Sequence, residues 1–179
     1  MAQSGSAIDE VADVSAMIPS HDVVVVREAD AEIVASGPVT GRLYADSSAT
    51  GGALSSQRVT LLRGAPGATP HHHTRSSELF YVVSGTAEML TGERVLSAKA
   101  GDLVVVPPGT VHAFAAAPES DADLLIILAP GIERFEYFRH LQRIANGQMP
   151  LESILEVQDL YDNHFDDSPV WQQTLAARQ

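Results

Sequence analysis

Between residues 21 and 130 the apolar residues fall in short runs separated by Gly, Pro, Asp and Ser. The stretches "DVVVVRE", "GRLYAD", "SQRVTLLR", "LFYVVS", "TAEML", "RVLSA", "DLVVVP", "VHAFAA" and "DLLIIL" each have strand length and are rich in β-branched or aromatic residues. Thr91-Gly92-Glu93 reads as a hairpin turn, and "AKAGD" and "PPGT" break the pattern elsewhere. So many short strands predict an all-β sandwich or barrel. After Pro130 the period changes. Ile132, Phe135, Phe138, Leu141 and Ile144 recur every three residues with Glu133, Glu136 and Arg143 between them. This spacing predicts an amphipathic helix that stops at Asn146-Gly147. A second short helix is expected over 151–161, followed by the acidic tail "DNHFDDSPVW". With Trp171, that tail suits either a docking segment or a lid over the barrel mouth. The chain thus divides into a small-residue N-terminal arm (1–20), a β-barrel (21–130) and C-terminal helices with a tail (131–179).

Composition narrows the options. A chain of 179 residues suits one domain and buries roughly two-thirds of its unfolded surface, so the core needs no staples. There is no cysteine, which removes disulfides, thiolate ligands and cysteine nucleophiles. Eleven Lys+Arg against 23 Asp+Glu give a net charge of −12, which repels phosphate backbones and anionic lipid. Arg58 and Arg63 are isolated, and Arg134, Arg139 and Arg143 are interleaved with Glu133 and Glu136, so no basic patch offsets it. Neither nucleic acid nor membrane is an expected partner. The start of the chain lacks a signal peptide's basic and apolar regions, and no run approaches the roughly 18 apolar residues of a span. The expected location is the cytoplasm.

The chemistry concentrates in "PHHHTRSSELFYVVSG", Pro70 to Gly85. On extended backbone successive side chains alternate, so His71 and His73 share one face and His72 takes the other. Glu78 follows five positions after His73, near enough in a bend to converge with them. Two imidazoles and a carboxylate suit a divalent metal with open positions, although a solvated loop is a fair rival for this stretch alone. Downstream, "GDLVVVPPGTVHAF" has a Pro108-Gly109 turn that can set His112 at the start of the next strand, facing inward.

Together the two stretches resemble the paired motifs of the cupin superfamily. The first is His71-x-His73, Glu78 and Gly85; the second is Gly101, Pro107-x-Gly109 and His112. The resemblance extends over roughly residues 22–130 and implies a double-stranded β-helix, or jelly roll. Two positions depart from it. Six residues rather than five separate Gly64 from His71, and Ala116 stands where the family often has Asn. Within the superfamily the chain looks most like small one-domain members similar to one half of a quercetin dioxygenase. "PPGTVHAF" and "APGIERFEYF" share that likeness. The resemblance implies one divalent transition metal ion (iron, manganese, nickel, copper or zinc) on His71, His73, Glu78 and His112. It also implies a role for Glu78 in accepting a substrate proton.

Counting by twos, Phe80 and Val82 face inward with Glu78, and Phe114 does so with His112. They are candidates for contact with an aromatic or apolar small molecule, or else plain core. Leu79, Tyr81 and Val83 are apolar on the opposite face, which the C-terminal helices or a second subunit must cover, and a homodimer is expected. His21, His140 and His164 lack metal spacing and read as surface or helix residues. The functional expectation is a metal-dependent dioxygenase acting on a small aromatic, flavonoid or polyketide-like compound. A metal-dependent isomerase, cyclase or lyase, and a non-catalytic binding cupin, are the alternatives. A transcription factor is excluded, because the segment after Pro130 is too short and acidic for a DNA-binding domain.

Overall fold

A computed structural model describes residues 23–178. The N-terminal arm and His21 lie outside the described residues. Strands β1 (Glu32–Ser36), β2 (Val39–Ala45) and β3 (Ser55–Leu61) come first, then β4 (His71–His72) and β5 (Ser77–Thr91). They are followed by β6 (Arg94–Lys99), β7 (Leu103–Val106), β8 (His112–Ala116) and β9 (Ala122–Ala129). Beyond them stand helix α1 (Phe135–Ala145), a 3-10 segment (Leu151–Val157), α2 (Gln158–Tyr161), β10 (His164–Phe165) and α3 (Pro169–Ala176). The strands pair antiparallel in a sheet that curls into a jelly roll, with the helices at the C-terminal end.

The runs "LFYVVS" and "TAEML", expected as two strands, are one. The first part of β5 pairs with β9 and β7, the second with β8 and β6. One strand therefore belongs to both layers. It turns the corner through a register shift between Val82 and Ser84 and through Gly85, whose φ is +75°. A Cβ on Gly85 would run into the carbonyl oxygen of Asp121, so both the left-handed backbone and the close approach require glycine there. Inside, Phe80, Val82, Met89, Leu124, Ile126 and Leu128 are fully buried. At about 1.5–3 kcal/mol for each large side chain removed from water, this layer is the main source of cohesion.

"DVVVVRE" is not a strand. Val23 and Val25 are 87% and 61% exposed, and no sheet edge among the described residues pairs with them; the first strand forms instead from "EIVAS". Helix α1 begins three residues later than its apolar period and is turned on its axis. Its most buried side chains are Tyr137 and His140, in line with Arg134 just before it. Two backbone N–H groups at its start, those of Arg134 and Phe135, donate to the carboxylate of Asp46 at 2.6 and 3.0 Å. A residue from the end of β2 thus serves as the helix's N-cap. Arg139 joins Glu32 at 2.8 and 2.5 Å and holds α1 against β1.

The tail docks. Ser168 caps α3, with Pro169 in its first turn, and Trp171 is buried on Leu90, Ala113 and Ala115. That contact explains why "HAFAA" is buried at every position: its alanines leave room for the indole. With α1 on β1 and α3 against β6, no helix among the described residues covers the outer face of β5, where Tyr81 and Val83 are 41% and 40% exposed. Among the described residues no helix is long and apolar enough to cross a membrane.

Candidate metal centre

Three strands, with the residue that follows β4, bring four side chains to one point. His71 on β4 pairs directly with His112 on β8, and Glu78 enters from β5. His71, His73, Glu78 and His112 are all buried, and their ligand atoms lie within 4.8 Å of one another. Glu78 Oε2 is the centre of the group, 2.7 Å from His112 Nε2, 3.3 Å from His73 Nε2 and 3.9 Å from His71 Nε2.

The second nitrogen of each ring fixes its orientation. His71 Nδ1 is 2.8 Å from Thr69 O, and His112 Nδ1 is 2.8 Å from Thr110 O. His73 Nδ1 donates to the backbone oxygen of Asp162. With Nδ1–H tied to a carbonyl, each Nε2 points inward, where it donates to Glu78 when protonated and offers a lone pair to a metal when neutral. Burial pushes His71 well below the ordinary imidazole range. Burial also opposes ionisation of Glu78, but hydrogen bonds from His112 and His73 outweigh it and hold the carboxyl well below its usual range. His112 is raised: burial works against its charged form, and the bond to Glu78 prevails. The donor set therefore fits a divalent transition metal ion, one carboxylate with three imidazoles.

His72 lies on the other face, as alternation requires. Its Nδ1 is 2.7 Å from Asp166 Oδ2, and its ring stacks on His164 at 5.1 Å. His164, expected on the surface or a helix, is half-buried in β10, which pairs with β4. His140 is on a helix but buried, its Nε2 2.7 Å from Ser153 Oγ.

The open side of the group faces a cavity of about 310 Å³ lined by β1 to β3, β8, β9, α1 and β10. Phe114 is in this lining. Phe80 and Val82 are not: both are fully buried in the core, and Phe80 stands edge-on behind His112 and Phe114. Sequence reasoning missed Arg134, Tyr137 and Asn163, which also line the cavity. Arg134, which the sequence presents as one of the arginines interleaved with Glu133 and Glu136, is 3% exposed, with its guanidinium 4.9 Å from the Tyr137 ring centre. Its position was a signal, because a cation at a helix N-terminus opposes the macrodipole and needs another reason to be there. Burial pushes the Tyr137 phenol up to about 12, so it stays protonated.

Asp162 was also missed. It ends α2 in the left-handed region at φ +49° and is 1% exposed. Its carboxylate accepts from Thr74 N (2.8 Å), Thr74 Oγ1 (2.5 Å) and Arg75 N (2.9 Å). The one residue therefore grips the loop after His73 and, through its own carbonyl, His73 itself.

Residues 57–128 match the family model for the cupin domain. No curated protein matches the sequence significantly. Pac13, a nucleoside dehydratase of Streptomyces, is 19% identical, with 63% of this chain and 87% of that one aligned at a TM-score of 0.52. KdgF from a Halomonas species is 24% identical (61% and 94% aligned, TM-score 0.53). A predicted oxalate decarboxylase from Thermotoga maritima is 19% identical (59% and 97%, TM-score 0.54). Likeness at this level establishes the fold. Residues 57–128 thus form a cupin domain.

Alanine at His71 or His73 is expected to remove most of the bound metal in elemental analysis. Losing a ligand costs more than the roughly 10- to 100-fold typical of an outer-shell change. His72→Ala is expected to leave stoichiometry unchanged; the reverse pattern would put the register of β4 off by one.

Asp162→Asn keeps a residue that tolerates the left-handed backbone but weakens the charged acceptor, and is expected to cost about 1–2 kcal/mol at pH 7. Hydrogen bonding from Thr74 and Arg75 outweighs burial and holds the Asp162 carboxyl below its ordinary value. The wild-type advantage is therefore complete above about pH 4 and shrinks as pH falls through the lower folded-state value. Denaturant midpoints measured across that range check it, and a pH-independent difference would assign the effect to backbone strain.

Proposed function

We propose that the protein is a metal-dependent oxidoreductase of the dioxygenase kind, acting on a small, largely apolar or aromatic compound of the flavonoid or polyketide type. The observation that supports this reading is the buried His71–His73–Glu78–His112 group with its open side turned to an apolar cavity. A redox-active divalent ion on these four residues supplies Lewis acidity and electron exchange with dioxygen. The chain's own groups do the rest. Three rings locked at Nδ1 resist displacement, and the walls exclude water. Glu78 takes every imidazole contact on Oε2, which leaves Oε1 as the atom to receive a substrate proton.

A second reading, a metal-dependent isomerase, cyclase or lyase, draws support from the buried guanidinium of Arg134 in the same lining. A fixed cation there stabilises negative charge that develops on a substrate without oxidation. Oxygen uptake separates the two. With a flavonoid and phenolic panel, the oxidative reading expects substrate-dependent oxygen consumption, and turnover without it selects the second. In either case Glu78→Gln is expected to keep part of the metal and lose about 10²–10⁴-fold in turnover, because an amide cannot accept the proton. Undiminished turnover would restrict Glu78 to holding the ion.

We further propose that the chain forms a homodimer through the outer face of β5 and β7, which no described element covers. Leu103 and Val105 there are 58% and 54% exposed beside Tyr81 and Val83, a contiguous apolar patch of the kind that marks an interface. Light scattering at micromolar concentration is expected to give a dimer mass and Leu103→Asp a monomer mass; a wild-type monomer removes the proposal.

A further inference from the structure

Buried polar side chains are almost always hydrogen-bonded, so the exceptions are informative. Among the described residues, four buried side-chain nitrogens have no partner, and three of them stand together: Arg134 Nε, Arg134 Nη1 and Asn163 Nδ2. The two side chains are joined by one bond, Arg134 Nη2 donating to Asn163 Oδ1 at 3.3 Å. No carboxylate among the described residues lies within ion-pair distance of the guanidinium. Asp46, which takes the Arg134 backbone N–H, is occupied at the start of α1.

This cation is held in place. Asp46 fixes its backbone, the rings of Tyr137 and Phe138 lie 4.9 and 5.4 Å from it, and Asn163 comes from the strap that also carries Asp162. A buried, positioned and unpaired guanidinium destabilises the fold by itself. It becomes favourable when an anion enters. Both residues line the cavity onto which His71 and Glu78 open. The remaining wall is mostly apolar, with Val59, Ile126 and Leu141 among its side chains, and its other polar groups, such as Gln57 and Gln142, are uncharged. One guanidinium fork matches the charge and planarity of one carboxylate, whereas a phosphate dianion would leave a charge unmatched in that wall.

We propose that Arg134, with the Asn163 amide, binds the carboxylate of the substrate, so that the cavity selects small organic acids with an apolar body. The inference rests on reading this cavity as the substrate site and narrows the substrate class within either chemistry above.

Benzoate and benzamide test it, being alike in shape and differing in charge. Binding of each is measured calorimetrically to the wild type and to Arg134→Met, Asn163→Leu and His73→Ala, with metal content determined on every sample. The wild type is expected to prefer benzoate by about 10- to 100-fold, the range for charge-assisted hydrogen bonds. Arg134→Met is expected to lose the preference while still binding benzamide. It is also expected to melt no lower than the wild type without ligand, since it removes an unpaired buried charge. If that variant fails to fold, a reduced preference in Asn163→Leu carries the same information. Survival of the preference in His73→Ala supports Arg134 as the anchor. Loss in His73→Ala with survival in Arg134→Met makes the carboxylate a metal ligand and overturns the proposal, leaving the metal reading intact. Equal affinity for the two probes, or no benzoate binding at millimolar concentration, overturns it as well. A wild type that takes up no divalent metal on reconstitution yet still prefers benzoate through Arg134 would sink the metal-dependent function and leave this inference standing.

Discussion

The architecture depends on a carboxylate buried to 3% exposure among three imidazoles. An ionised carboxylate in such a place is costly unless charge and hydrogen bonds surround it. Here Glu78 is surrounded only because three strands are in one particular register. β4 must pair with β8 at His71 and His112, and β5 must pair with β9 and β7 so that Glu78 points the same way. Slipping any of them by one residue would bury an unmatched group and expose a ligand. The long strand common to both layers is what ties these registers to each other.

Around this point the chain is arranged in shells. Carbonyls of Thr69, Thr110 and Asp162 fix the rings. The loops that present those carbonyls are anchored in turn: Gly109 N bonds to His73 O at 2.7 Å, and Asp162 holds the loop at Thr74 and Arg75. The C-terminal segment is thus structural and functional at once. Its residues 161–166 add a strand to β4, supply one ring anchor and complete the cavity wall, while Trp171 fastens the far end.

Much of this was legible before folding was considered. Side-chain alternation along "HHH" is enough to separate His72 from its neighbours, and His72 does lie outside, on Asp166. The period change after Pro130 marks the helix. What alternation could not reveal is depth. Phe80 and Phe114 have the same inward sense, yet only Phe114 reaches the cavity, because Phe80 is packed in the core behind His112 and Phe114. The helix was read from its apolar residues, so the row Arg134, Tyr137 and His140, apolar in body with polar tips, went unseen. Asp162 acts on a residue 88 positions earlier and Asn163 on one 29 positions earlier, and no local pattern carries that information. "DVVVVRE" has a strand's composition without a neighbouring edge to pair with, which composition alone does not disclose.

The Asp162 strap has a consequence for the order of synthesis. All four candidate ligands have been synthesised by residue 112, and the strand that shares both layers is complete by residue 91. The carbonyl that orients His73 arrives fifty residues after the last ligand. While the chain is growing, the barrel can close with one imidazole still free to rotate. The nascent protein therefore acquires its candidate ligands and the anchor of the His73 ring at different times, and the group is fully set only when the tail has docked.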